Sequence, residues 1–150
     1  MKQDVLITLR GTQKYLGEKP EAVELVTRGT LTSGRGKYAV SYTETALTGT
    51  EGVVSTFFVS GENRVVLTRS GPIQSKMIFD EGEKHEGLYD LGFGALLVGV
   101  IAKSVCARMT ESGGTIRIDY TVEIEQSTTS RNTYEITVTP LLETEDTEKP

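Results

Sequence analysis

Along most of this chain apolar and polar residues alternate one by one. The clearest run is GTIRIDYTVEIEQ, where Ile116, Ile118, Tyr120, Val122 and Ile124 fall on one side and Arg117, Asp119, Thr121, Glu123 and Glu125 on the other. A period of two belongs to a strand, whose successive side chains point to opposite faces. The segment therefore predicts a strand with one buried and one wet face. Tyr134, Ile136 and Val138 repeat the pattern after STTSRN (127–132), which reads as a loop, and Val5, Ile7 and Leu9 open the chain in the same way. No stretch sustains helical spacing. KPEAVEL (19–25) holds the best helix formers, but Val23 and Leu25 suit a strand equally well.

Turn signals interrupt the alternation about every ten residues, the spacing of an all-β sandwich or barrel. GEKPE, SGRGK, GTEG, SGEN, RSGP, EGEK, LGFG and ESGG cut the chain into roughly ten strands joined mostly by hairpins. An open sheet of that many strands leaves two exposed edges, and closing it removes them. The expected fold is thus all-β, a single antiparallel, mainly up-and-down closed barrel of about 8–10 strands, with a β-sandwich as the alternative. Residues 1–142 form that domain. The acidic stretch Glu143–Pro150, ETEDTEKP, lacks apolar residues and reads as a disordered tail.

Charge and cysteine usage narrow the function classes. With 16 Lys and Arg against 21 Asp and Glu, the net charge is −5, so no overall positive field draws a nucleic acid. Phe57, Phe58, Tyr15, Tyr89 and Phe93 have no interleaved basic residues and read as core or hairpin packing rather than base-stacking platforms. The N-terminal apolar stretch is far too short for a signal peptide or a membrane span. Cys106 is the single cysteine, which rules out an internal disulfide and fits a reducing compartment. A cytoplasmic protein without nucleic-acid or membrane partners is expected.

No catalytic or cofactor motif is present, and no cofactor is expected. The GFG at Gly92–Gly94 reads as a turn. His85, the one histidine, sits among Asp80, Glu81, Glu83 and Glu86 in a segment that reads as a solvated charged hairpin, so no metal is expected there. Cys106 reads as a buried, inert thiol. The informative residues are polar groups on otherwise apolar faces. Tyr38, Val40, Tyr42 and Glu44 share one side of their strand, and Val65, Leu67 and Arg69 one side of theirs. If both sides face inward, a carboxylate and a guanidinium enter the lumen and must find partners. A Glu44–Arg69 pair satisfies that need, either as a structural ion pair at the rim or as a handle for a small molecule.

The order of KYAVSYTET, TGTEG, VVLTRSG, SKMIFDEGEKHEGLYDLGFG and the closing NTYEITVTP resembles the bacterial YwiB-like family of uncharacterised calycin-type barrels over nearly the whole chain. The resemblance implies a lipocalin-like barrel and no assigned reaction. Where relatives carry Thr-Pro before the glycine, this chain has Leu91, Gly92 and Phe93. Taken together, these readings predict a barrel binding a small, partly apolar anion, with Arg69 as charge partner, Tyr42 and Glu44 as polar contacts, and Met77 and Phe79 as wall. The alternative is a ligandless scaffold or protein-interaction barrel with a filled core. An enzyme acting through Glu44 or His85 ranks below both.

Overall fold

The structure is a computed structural model, and it describes residues 1–44, 51–71, 74–90 and 94–141, with the side chains of Tyr89 and Asp90 left aside. Ten strands follow one another: β1 (Lys2–Tyr15), β2 (Glu21–Gly34), β3 (Lys37–Thr43), β4 (Val54–Ser60), β5 (Arg64–Ser70), β6 (Ser75–Asp80), β7 (Lys84–Asp90), β8 (Ala95–Thr110), β9 (Gly113–Ile124) and β10 (Ser127–Pro140). All pair antiparallel in one sheet ordered β6-β5-β4-β3-β2-β1-β10-β9-β8-β7. Every connection joins sheet neighbours except that from β6 to β7, and the last strand, β10, pairs with the first, β1, so the meander expected from the turn spacing is present. Among the described residues no helix is long and apolar enough to cross a membrane.

The sheet curls into a nearly closed barrel whose break falls between β6 and β7. These strands are joined by the turn at Glu81–Glu83, yet they stand at opposite ends of the sheet order. They diverge because the lower half of β8, beyond the reach of β7, takes its bonds from two turns instead. Gly82 N–H donates to the Ala102 carbonyl (2.9 Å) and Ala107 N–H to the Glu62 carbonyl (2.9 Å). Val105 is held on both sides by side chains: its N–H donates to Glu81 Oε1 (2.9 Å), and Asn63 Nδ2 donates to its carbonyl (2.9 Å). Glu81 and Asn63 thus do the work of a missing strand at the seam, where an unpaired buried amide would be costly.

The inward rows are Val5, Ile7 and Leu9 from β1, Ile116 and Ile118 from β9, and Ile136 and Val138 from β10, all buried as the alternation predicts. Phe57, Phe79 and Leu31 fill the space between them. Each such side chain contributes about 1.5–3 kcal/mol through burial. Gly29 is required by close approach: a Cβ there would lie 2.4 Å from both Ile7 Cδ1 and the Ser41 carbonyl oxygen.

Two expectations need correction. STTSRN is the first half of β10 and no loop, because the chain reverses at Glu125 and Gln126, both with positive φ. Cys106 is exposed, not buried. A bulge between Ala102 and Ser104 switches the inward parity of β8 from Val98, Val100 and Ala102 to Val105 and Ala107, leaving the thiol outside. The tail 143–150 and the Leu91–Phe93 part of the glycine-rich turn lie outside the described residues.

Candidate functional site

Successive inward rows grow more polar towards one mouth of the barrel. On one wall Leu25, Leu9, Ile136 and Ile116 stand in register across β2, β1, β10 and β9. The next row up is Val23, Gly11, Tyr134 and Ile118, and the one above it is Glu21, Gln13, Asn132 and Tyr120. On the facing wall, Val40, Phe57 and Leu67 give way to Tyr42, Ser55 and Arg69. The two walls enclose a cavity of about 240 Å³, with glycine at position 11 sparing room that a side chain would take.

Glu44 and Arg69 meet in this cavity. Arg69 Nη2 lies 3.1 Å from Glu44 Oε1 and 3.0 Å from Oε2, and Ser55 Oγ donates to Oε2. Glu44 is fixed at the end of β3 by its backbone: its N–H donates to the Val53 carbonyl (2.7 Å), and Gly52 N–H donates to its own carbonyl (3.1 Å). The Glu44 side chain is 7% exposed and that of Arg69 29%, so the carboxylate is buried while the guanidinium reaches the opening. Gly71, at φ +124°, lets the end of β5 pass beside the Gly52 carbonyl, where a Cβ would stand only 3.0 Å away.

Aromatic rings make the cavity floor. Tyr120 and Tyr134 stack with centroids 5.8 Å apart, Phe57 meets Tyr134 edge-on at 5.8 Å, and Phe79 backs Tyr120 at 4.7 Å. Burial pushes the Tyr42 phenol well above its ordinary value, with the neighbouring Glu44 carboxylate adding to the shift. Burial raises Tyr134 in the same direction, opposed by a hydrogen bond with Tyr120. Both phenols are therefore neutral hydrogen-bonding groups over the physiological range.

Of the five residues singled out in the sequence, Tyr42, Glu44 and Arg69 converge on the cavity. Met77 and Phe79 do not line it. Phe79 is fully buried behind Tyr120 and Tyr134. Met77 opens onto a separate slot of about 200 Å³ in the β6–β7 break, beside Val98, Val100 and His85. His85 Nε2 lies 3.4 Å from Asp80 Oδ2, which also accepts from Arg64 at 2.8 Å. Among the described residues no group of three or more His, Cys, Asp or Glu side chains could hold a metal ion. Sequence reading missed Ser55, Asn132, Tyr120, Tyr134, Gln13 and Glu21 as cavity residues. Strand alternation could have flagged Ser55, which sits one strand over from Tyr42 on the same inward side.

The fold and this polar mouth define a small meandering β-barrel. Residues 7–136 match the family described as Domain of unknown function (DUF1934), and the chain belongs to that family. Its fold is similar to the crystal structure of the ywiB protein from Bacillus subtilis, with a TM-score of 0.81, 22% sequence identity and 94% of each chain covered. No curated protein matches the sequence.

Proposed function

We propose that the protein binds a small, partly apolar molecule in the mouth cavity, with an anionic end at Arg69 and its apolar body against Leu9, Leu25, Leu67 and the stacked tyrosines. The observation that carries this reading is the Glu44–Arg69 pair facing a cavity, its carboxylate buried and its guanidinium at the opening. A buried ion pair is a poor source of stability, because desolvation offsets most of its attraction. Groups kept at that cost beside an opening are better explained by recognition. An incoming carboxylate would share the guanidinium with Glu44, with Arg69 as the link between them. Tyr42, neutral and close by, supplies a further hydrogen bond. A calycin-like binding barrel in the cytoplasm is the setting this reading assumes.

The second reading is a scaffold with no ligand, favoured by the solid packing of Phe57, Phe79, Ile116 and Ile118 below the cavity. Solvent extraction of protein purified from its native host, followed by mass analysis of the extract, separates the two. The binding reading expects one small acid recovered in near-stoichiometric amount from the wild type and lost from the double variant Glu44→Gln/Arg69→Gln. Recovery of nothing from the wild type supports the scaffold, and equal recovery from both proteins overturns the assignment of the Glu44–Arg69 pair as the anchor.

A further inference from the structure

The inner face of β10 carries information about the ligand beyond its charge. Arg69 on β5 and Asn132 on β10 are separated by β4, β3, β2 and β1 in the curled sheet, so they occupy facing walls of the cavity. Asn132 is 4% exposed and Ser130 2%. A bulge between Thr128 and Ser130 shifts the β9–β10 register just before these two side chains. Bulges re-aim side chains and recur next to functional sites. Asn132 Nδ2 donates to Ser130 Oγ at 3.0 Å, which fixes the orientation of the carboxamide. The carboxamide belongs to a side chain that lines the cavity.

The cavity, about 240 Å³ and open at the mouth, has room for a single ring. The apolar part of the lining, Leu9, Leu25, Phe57, Leu67, Tyr120 and Tyr134, suits a flat apolar body.

We infer that the ligand is a single-ring carboxylic acid with a second polar group across the ring, and that Asn132, oriented by Ser130, is the specificity-determining residue for that group. The carboxylate meets Arg69, and a hydroxyl or amine at the far end donates to Asn132 Oδ1. The inference rests on the mouth-binding reading above. It adds that the wall facing the ion pair selects for a donor.

Calorimetric titration of the full chain with benzoate and 4-hydroxybenzoate tests it. The wild type should bind 4-hydroxybenzoate about tenfold more tightly than benzoate, the ratio expected for one well-placed hydrogen bond. Asn132→Leu should abolish that preference, and Ser130→Ala should reduce it. The wild-type comparison needs no variant, so a misfolded Asn132→Leu does not spoil the test. Equal wild-type affinities, or a preference that survives in folded Asn132→Leu, overturn the inference. Failure of both acids to bind also overturns it. If extraction then yields a different small molecule from the wild type, the mouth-binding reading stands; if it yields nothing, both fall.

Discussion

Arg69 places one guanidinium nitrogen 3.0–3.1 Å from both carboxylate oxygens of Glu44, across two strands and with the carboxylate nearly out of water. Removing one partner therefore differs from removing both. Arg69→Met strands a buried carboxylate and should destabilise the fold by about 2 kcal/mol or more, less than for a fully buried pair because the guanidinium is partly wet. Glu44→Leu/Arg69→Met should recover most of that loss. Urea denaturation of the three proteins checks the order, and a double variant less stable than Arg69→Met would contradict it.

Tyr42 and Tyr134 make stability fall at alkaline pH. Both have folded-state pKa values raised above the ordinary tyrosine value of about 10. Below that value the phenols are protonated in folded and unfolded chains alike, and the full stability is present. Above it the unfolded chain loses these protons while the folded chain keeps them, so stability declines as pH rises. Denaturation midpoints at pH 8 and pH 11 should show the decline, and Tyr42→Phe should make it shallower. An unchanged slope in that variant would show that Tyr42 is not a source of it.

Glu81 and Asn63 replace a strand at the seam. Glu81→Ala and Asn63→Ala each leave one backbone group of Val105 without its partner, and each should cost about 1–3 kcal/mol. Glu81→Gln keeps an acceptor oxygen and should cost less. Amide hydrogen exchange at Val105 is the direct measure: protection should fall in Glu81→Ala and persist in Glu81→Gln.

Gly29→Ala places a methyl group 2.4 Å from the Ser41 carbonyl, backbone that cannot step aside as a side-chain tip can. A loss of about 1–3 kcal/mol is expected from overpacking. A thermal midpoint equal to wild type would mean that β2 and β3 move apart at little cost.

The barrel was legible in the sequence wherever a strand has one dry and one wet face, as in Ile116–Ile124. It became illegible at the mouth. In Ser127–Asn132 the inward residues Ser130 and Asn132 are polar like the outward ones, so both faces are hydrophilic, alternation vanishes and the segment reads as a loop. Asn132 and Ser130 were lost for that reason. Tyr42, Glu44 and Arg69 were recoverable because their strands carry apolar residues below them on the same face. Met77 and Phe79 were correctly oriented inward, but which inward residue meets the cavity depends on how the strands slant and where the sheet breaks. Phe79 falls below the cavity, behind Tyr120, and Met77 falls at the seam. Cys106 was misjudged because burial was assigned from the usual behaviour of a lone thiol, whereas Val105 and Ala107 beside it already take the inward positions.

The most direct test of the central claim is a pair of native and denatured mass spectra, recorded for the wild type and for Gly11→Leu, both gently purified from the native host. The leucine side chain would project into the cavity beside Tyr134. Binding at the mouth predicts a small mass excess on the folded wild type that disappears on denaturation and is absent from Gly11→Leu. A folded wild type at its bare chain mass, or the same excess on both proteins, would contradict it.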